Sequence, residues 1–231
     1  MNLITILQVT ASMGDNIAVE VQKTETTMNY WEMAQKGGVI MIPLFLLLLL
    51  AIYVFVERIV GIRQTSKEDP NFMNRIKDYI LEGKIDSAIK LCRQNNTPTA
   101  HMIEKGISRL GRPMQDVMVA IENVGNLETS KMEKGLPILA SVAGGAPMVG
   151  FLGTVTGMIR AFFDMSNSGD ALDMNVLSAG IYEALITTVA GLVVGITAFF
   201  MYNFLVTRVN KVINKMEAYT LEFLDILNEP A

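Results

Sequence analysis

The sequence is poor in the residues on which many catalytic and metal sites depend. Its 231 residues include one Cys and one His. Cys92 alone excludes an intramolecular disulfide and cannot build a zinc site, and His101 alone gives little support to a catalytic triad or a His-rich metal centre. Both residues are therefore interpreted as packing or surface residues of helical segments. With no nucleophile–base pair in the pattern, an enzyme is the least supported class of function.

An excess of positive charge is also absent. The chain has 19 Lys and Arg against 23 Asp and Glu, a formal net charge of −4. Nucleic-acid binding usually leaves a basic footprint, so no nucleic-acid partner is expected. Apolar residues make up 51% of the chain, which is ordinary for a globular protein. The distribution of the apolar residues is what carries information.

Three long runs contain no charged residue: residues 39–56, 135–159 and 184–207. A hydrocarbon core about 30 Å thick is crossed by about 20 helical residues. The runs predict an all-α integral membrane protein with transmembrane helices over residues 39–60, 135–163 and 177–207. A buried helix of a soluble protein is the alternative for each run, but such helices seldom extend this far without a charge.

The Lys and Arg residues predict the orientation of the three spans. The stretch 57–134 contains thirteen of them, the loop 163–176 contains none, and the tail carries Arg208, Lys211 and Lys215. Because cytoplasmic segments are enriched in Lys and Arg, we expect the N-terminus and the loop 164–176 outside the cytoplasm. The segment 61–134 and the tail 208–231 are then cytoplasmic.

The segments outside the membrane are expected to be helical. Asp69-Pro70 has the form of a helix start, and a helix of nearly 50 residues is predicted from Pro113 into the second span. An apolar stripe from Val209 to Ile226 extends the third span as a C-terminal helix. Tyr30 and Trp31 indicate an interfacial helix within the segment 1–38. The role of residues 1–27, and whether they are cleaved, stays open.

Small residues recur at helical spacing in the second and third spans. Such residues let helix backbones approach closely in lipid. The set is Gly153, Gly157 and Ala161 in the second span, and Thr187, Gly191 and Gly195 in the third. Threonine hydroxyls lie at the same depth, although many hydroxyls in membrane helices only bond the preceding turn.

Glu183 lies near the outer start of the third span and is the only acid between Asp173 and Glu217. An ionisable residue at such a place is a hypothesis of function, here in ion passage. Two other interpretations remain open: a solvated residue at the mouth, and a structural partner for Arg160.

Two segments carry a resemblance to a known family. APMVGFLGTVTGMIRAF (Ala146–Phe162) and GIYEALITTVAGLVVGITAFFMYN (Gly180–Asn203) resemble the paired elements of the ExbB/TolQ/MotA proton-channel family. The three-span layout is most similar to the ExbB and TolQ branch, since MotA has four spans. Ile196-Thr197-Ala198 lacks the Pro that the family often has there, which puts the local helix geometry in doubt.

The resemblance implies a homopentamer in the bacterial inner membrane, so that the outer segments would be periplasmic. It implies single-span ExbD- or TolR-like partners whose Asp carries protons, with no cofactor, and a TonB-like protein that receives the force. The matching pore positions are Thr154, Glu183 and Thr188. An ExbB-like role in TonB-dependent transport is favoured over a TolQ-like role in envelope integrity. A structural scaffold or a secondary transporter stays open, although three spans without repeats fit a transporter poorly.

Overall fold

The computed structural model describes residues 37–65, 69–167 and 174–228. Within these residues the backbone forms α-helices and no strand, as the sequence predicts. The interfacial helix expected near Trp31 lies outside the described residues, as does part of the loop 164–176. The helices are α1 (Met41–Thr65), α2 (Phe72–Leu81), α3 (Ile85–Asn95), α4 (Pro98–Ile107), α5 (Met114–Glu133), α6 (Leu136–Asn167) and α7 (Met174–Asn228).

Three helical stretches are long and apolar enough to cross a membrane. They are Met41–Arg63 in α1, Met114–Asn167 in α5 and α6, and Leu177–Asn228 in α7. The prediction of an all-helical chain with three candidate membrane-spanning helices is thus confirmed. The side of the membrane that each helix end faces stays a prediction from the Lys and Arg distribution.

The two helices α6 and α7 form the most extensive helix pair of the described chain. Their contacts join early residues of α6 to late residues of α7 and late residues to early ones, so the helices are antiparallel. Helix α1 packs on both of them through a buried face that includes Leu44, Ala51 and Val54. Its Phe55 ring lies 6.1 Å from the Phe204 ring of α7, centroid to centroid.

The predicted continuous helix from Pro113 into the second span is wrong, because the chain breaks between α5 and α6. Lys134 takes an extended ψ of 125° and Gly135 a φ of +92°, a left-handed conformation that favours glycine. Arg58 lies against this break, and its Nη1 donates to the Lys131 carbonyl at 3.4 Å. That carbonyl belongs to the last turn of α5, where helix carbonyls have no partner within the helix.

Helices α2 to α5 pack with the end of α7 into a helical bundle. Phe223 of α7 is fully buried. It lies so close to Gly106 of α4 that a Cβ there would come within 2.6 Å of the ring. A Cβ on Gly106 would also meet Ile121 of α5 at 2.8 Å. The far end of α7 is therefore part of the core of the bundle.

The start of helix α2 differs from the prediction. Helix α2 begins at Phe72 rather than at Pro70, and Asp69 instead accepts the Asn71 backbone N–H at 3.0 Å in a turn before the helix. Between α3 and α4, Asn96 takes a left-handed φ of 46°, and Thr97 caps α4 by accepting the Ala100 N–H. One helix therefore ends at Asn95 and the next begins at Pro98.

Cys92 and His101 both lie in this bundle. Cys92 is fully buried, and burial raises the pKa of its thiol to about 12. The His101 Nδ1 lies 3.2 Å from the Glu128 carboxylate, which also receives Lys131 Nζ at 2.7 Å. Glu128 is largely buried, so these contacts compensate the cost of removing its charge from water.

The third span continues without a break into the C-terminal helix, as the apolar stripe predicts. Val209, Val212, Met216 and Phe223 are all buried along one side of α7. The helix is 55 residues long, roughly 80 Å at 1.5 Å per residue. A single rigid element therefore joins the membrane-level helix pair to the bundle.

Candidate functional site

At one crossing point, α6 and α7 are in contact through two glycine backbones. A Cβ on Gly191 would lie 2.8 Å from the Gly150 Cα and 2.7 Å from the Ala146 carbonyl oxygen. A Cβ on Gly150 would lie 3.0 Å from the Gly191 Cα. Side chains are excluded from this crossing, so the two helices touch through their main chains, as small residues permit in lipid.

The other predicted small residues continue this contact toward the C-terminal end of α6 and the start of α7. Gly153 lies directly against Thr187, and a Cβ on Gly157 would meet the Ala184 Cβ at 3.0 Å. Ala161 lies against Gly180. Gly153, Ala161 and Thr187 are buried. The structure therefore brings the two small-residue stripes together on facing sides of the helices.

Gly195, the last residue of the stripe in α7, has a specific role. A Cβ there would lie 2.5 Å from the Pro147 ring and 3.0 Å from the Ala143 carbonyl oxygen. Pro147 cannot donate to Ala143, the residue four positions before it, and its ring occupies that space. Helix α6 nevertheless stays continuous through Pro147. Gly195 provides room for the displaced ring and carbonyl.

Two predicted pore-lining threonines meet across the helix pair. The hydroxyls of Thr154 in α6 and Thr188 in α7 are in direct hydrogen-bond contact. Thr154 Oγ1 also lies 3.2 Å from the Ala184 carbonyl of the facing helix, and Thr188 Oγ1 lies 3.3 Å from the Gly150 carbonyl. Each hydroxyl has one proton to donate and lone pairs that accept, so one threonine can donate to the other while the second donates to a carbonyl.

Thr187 extends this group of hydroxyls into the buried interface. Its Oγ1 donates to the Ala184 carbonyl at 2.7 Å and lies 3.5 Å from the Gly150 carbonyl. Thr154 and Thr187 therefore contact both the Ala184 and the Gly150 carbonyl oxygens, and Thr188 contacts the Gly150 carbonyl oxygen. We call Thr154, Thr187 and Thr188 the hydroxyl cluster. It is a polar network between two helices at the level of the uncharged runs.

Other threonines of the same spans bond only the preceding turn of their own helix, as many hydroxyls in membrane helices do. Thr156 Oγ1 donates to the Leu152 carbonyl at 2.9 Å, and Thr197 Oγ1 donates to the Val193 carbonyl at 2.7 Å. Both acceptors lie one turn earlier in the same helix. The hydroxyl cluster is thus distinguished by bonds that cross from one helix to the other.

Glu183 is not brought to the hydroxyl cluster. Its carboxylate lies against Gly38, just before α1, although its backbone neighbour Ala184 supplies the carbonyl that Thr154 contacts. Gly38 has a φ of +66°, and a side chain there would overlap the Glu183 carboxylate. The acid is half-buried and joins the start of the first span to the start of the third.

The proposed structural partner of Glu183 lies elsewhere. Arg160 Nε is 4.0 Å from the Asp164 carboxylate, one turn later in α6, and the Arg160 side chain is well exposed. The ion pairs found within residues 69–167 and 174–228 do not join Arg160 to Glu183. An interpretation of Glu183 as the structural partner of Arg160 is not supported by this arrangement.

The structure adds small residues that the sequence prediction left out. Gly150, Ala184, Gly180 and Ala146 stand at the helix contact together with the predicted residues. A signal for them was available, because Gly150 lies three residues before Gly153 and Ala184 lies seven before Gly191. Extending each stripe toward its N-terminal side would have found them.

The site suits the relay or exclusion of a small ion better than the binding of a large ligand. The helix contact is filled by main-chain atoms and hydroxyls. Among the described residues, no group of three or more His, Cys, Asp and Glu side chains is placed to hold a metal ion. Hydroxyls can both donate and accept hydrogen bonds, so the cluster can bond a protonated or an ionised carboxyl group brought beside it.

Comparisons with known proteins agree with the resemblance found in the sequence. The model of the MotA/TolQ/ExbB proton channel family matches residues 94–218. A protein named as an ExbB homolog in Methanothermobacter thermautotrophicus is 31% identical over 190 residues, 80% of this chain and 66% of that protein. A Synechocystis protein named ExbB-like 1 is 31% identical over 185 residues, 74% of this chain and 68% of that protein.

The Haemophilus influenzae Tol-Pal system protein TolQ is also similar to this chain. It is 36% identical over 118 residues, 51% of each chain. The chain thus spans about two thirds of the length of the two ExbB-like relatives and about half of TolQ. The family match extends over more than half of the 231 residues and includes the whole hydroxyl cluster. This chain belongs to the MotA/TolQ/ExbB proton channel family.

Proposed function

We propose that this chain is the ExbB-like channel subunit of a motor in the bacterial inner membrane. With a single-span ExbD-like partner it would use the proton motive force to energise TonB-dependent transport at the outer membrane. Protons are the coupling ion, and no cofactor is required. Five copies of the chain would enclose the partner helices. The observation that carries this proposal is the hydrogen-bonded pair Thr154–Thr188 between the second and third spans.

The hydroxyl cluster supports a role beside a moving proton. A threonine hydroxyl is neither a strong acid nor a strong base, so it would not carry a proton by itself. It can, however, bond a carboxyl in either protonation state. An Asp on a partner helix that passes the cluster would therefore keep a hydrogen bond before and after it gains a proton.

Glu183 has a different role in this proposal. Its carboxylate lies at the start of α7, on the side of Gly38, and outside the hydroxyl cluster. At the predicted outer end of the span, its charge would raise the local concentration of protons. Protons would then pass from Glu183 to the partner's Asp, which the hydroxyl cluster stabilises.

Exposed apolar surface on the helix pair supports further assembly. Phe151 and Ile159 of α6, and Leu185, Val189 and Ile196 of α7, are all more than half exposed. Lipid tails or neighbouring copies would cover these side chains in the membrane. Five such pairs arranged in a ring would bring the part-buried hydroxyls of Thr154 and Thr188 toward a central space.

A TolQ-like role in envelope integrity is the second candidate, favoured by the 36% identity to TolQ over half of the chain. The two roles differ in what the cell loses when the gene is deleted. An ExbB-like chain supports energised uptake through outer-membrane receptors. A TolQ-like chain supports resistance to detergents that cross a damaged outer membrane. Measuring both phenotypes in one deletion strain assigns the role.

Proton flux in liposomes tests the channel function itself. The chain would be reconstituted with its single-span partner, with a partner whose intramembrane Asp is replaced by Asn, and without any partner. We expect flux only with the intact partner. An intact complex, verified by native mass spectrometry, that passes no more protons than the Asp→Asn complex would favour a structural scaffold.

A further inference from the structure

A groove opens between the end of α1 and the middle of α7, away from the hydroxyl cluster. Its volume is about 200 Å³. It lies where the charge-free runs of the first and third spans give way to charged residues. The residues that line it are Ile59, Ile62, Arg63, Phe204, Leu205, Arg208, Lys211, Val212 and Lys215.

The floor of the groove is apolar and fixed. Ile62, Leu205 and Val212 are each buried to more than nine-tenths, and they belong to the core shared by α1 and α7. Phe204 lies at the membrane side of the groove and is 45% exposed. Such a surface fits hydrocarbon better than it fits a freely soluble anion.

The rim of the groove is basic. Arg63 comes from the last turn of α1, while Arg208, Lys211 and Lys215 come from α7. None of the described residues that line the groove is acidic. The α7 residues are spaced i, i+3 and i+7, which places them on one face, where like charges repel. An anion held among them would relieve that repulsion.

Two arginines near the groove, Arg208 and Arg58, differ in what their guanidinium groups contact. The Arg208 guanidinium lies 5.2 Å above the centre of the Phe204 ring, a cation–π contact that holds it at the groove. Arg58, one turn before Ile62, instead bonds Glu57 at 2.7 Å and the Lys131 carbonyl. Both Nη atoms of Arg58 thus bond other groups of the protein, and the groove brings Arg63, Arg208 and Lys211 together beside an apolar floor.

We infer that this groove binds the headgroup of an anionic phospholipid. The phosphate would lie among Arg63, Arg208 and Lys211. The acyl chains would run along the exposed apolar side chains Val56, Val60 and Phe204. Basic pockets between membrane helices at the cytoplasmic side recognise such headgroups. The bound lipid would join the first span to the long helix that enters the bundle.

The test is a lipid titration of the purified full-length chain followed by native mass spectrometry. The probes are dioleoylphosphatidylglycerol and dioleoylphosphatidylcholine, which share their acyl chains and differ in net charge. The variant is Arg208→Gln with Lys211→Gln. The matched control is Lys105→Gln with Arg112→Gln, which removes the same charges from exposed positions of the bundle.

We expect the wild-type chain to bind phosphatidylglycerol more tightly than phosphatidylcholine, with the difference shrinking as salt rises. The groove variant should lose roughly thirtyfold in phosphatidylglycerol affinity, from two basic contacts. The control variant should keep the wild-type affinity. The swap Arg208→Lys with Lys211→Arg, which preserves charge, should also keep most of it.

Three results would overturn the inference. The first is equal binding of the two lipids by the wild-type chain. This result does not depend on whether any variant folds. The second is an equal loss of phosphatidylglycerol affinity in the groove and control variants, which would indicate a general charge effect. The third is displacement of the lipid by free glycerol 3-phosphate, which would indicate a plain anion site without a role for the apolar floor.

Discussion

Threonines of the second and third spans differ in what their hydroxyls bond. Thr156 and Thr197 donate within their own helices, and these bonds would form in an isolated helix. Thr154 and Thr188 bond each other and carbonyls of the facing helix. Only the second kind depends on the packing of α6 against α7. The hydrogen bonds of Thr154 and Thr188 therefore form only when α6 packs against α7.

Glu183→Gln tests the proposed role of the acid at the predicted outer end of the third span. The amide keeps the shape of the side chain beside Gly38 but cannot ionise. We expect proton flux through the complex with the partner to fall, because the charge that attracts protons is lost. Flux in liposomes, read with a pH-sensitive dye, measures the effect.

Asp164→Asn is the matched control for Glu183→Gln. Asp164 also lies near the predicted outer end of a span, in an ion pair with Arg160. Its neutralisation should leave most of the flux. An equal loss in both variants would show that any acid on the outer face contributes, and would remove the specific role of Glu183.

Cys92 gives a prediction about the bundle. Its thiol pKa is raised to about 12 by burial, so the reactive thiolate is scarce at neutral pH. We expect a maleimide to label the native chain very slowly at pH 7.5 and the unfolded chain rapidly. Rapid labelling of the native chain would show that the bundle opens or that Cys92 is accessible.

The same pKa shift sets a direction for stability at high pH. The folded pKa lies above the ordinary value of 9.0, so the folded state holds the thiol proton more tightly than the unfolded state. This contribution is complete below about pH 9 and is lost as pH rises toward 12. Unfolding by denaturant should therefore become easier over that range, and less so in Cys92→Ala.

At the scale of the helix, the contact between Gly150 and Gly191 controls how closely α6 and α7 approach. Gly191→Ala would place a methyl group 2.7 Å from the Ala146 carbonyl oxygen. The helices would have to separate. We expect a loss of about 1–3 kcal/mol in stability, as for other overpacked interiors, measured as a lower thermal unfolding midpoint in detergent.

Gly144→Ala is the control for this substitution. It lies in the same helix as Gly150, and a Cβ there meets no described atom beyond its own helical turn within 4 Å. Its unfolding midpoint should stay near that of the wild type. If Gly191→Ala behaved like Gly144→Ala, the close contact between the two glycine backbones would be contradicted.

The break before α6 shows why one element was predicted incorrectly. The sequence Gly135-Leu136-Pro137 places glycine just after one helix and proline in the first turn of the next, an arrangement typical of a helix end followed by a helix start. The sequence predicts a continuous helix when the helical apolar spacing is followed and Pro137 is taken as the one strong breaker before the second span, but that interpretation overlooks Gly135. Periodicity identifies faces of helices but does not detect a single left-handed residue.

At the scale of the whole molecule, the sequence predicts the features that depend on long stretches of similar residues. The three spans follow from charge-free runs, and the C-terminal extension of α7 follows from the stripe that includes Val212 and Phe223. These features need no knowledge of distant contacts. The order of helices along the chain could be predicted for the same reason.

Features that depend on contacts between distant segments could be predicted only in part. The spacing of Gly153 and Gly191 identified the packing faces, but it did not identify which hydroxyls cross between helices. Glu183 meets Gly38, which lies 145 positions earlier in the chain. No local pattern indicates that contact, so the direction of the acid side chain required the three-dimensional structure.

The most direct test of the central claim compares two double variants in the proton-flux assay with the single-span partner. Thr154→Val with Thr188→Val removes the hydroxyl pair between the helices, and Thr156→Val with Thr197→Val removes two hydroxyls that bond only their own helices. Both complexes must remain intact by native mass spectrometry. The account predicts that the first variant loses proton flux while the second keeps it. Equal flux in the two variants would contradict a role for the hydroxyl pair in the proton path.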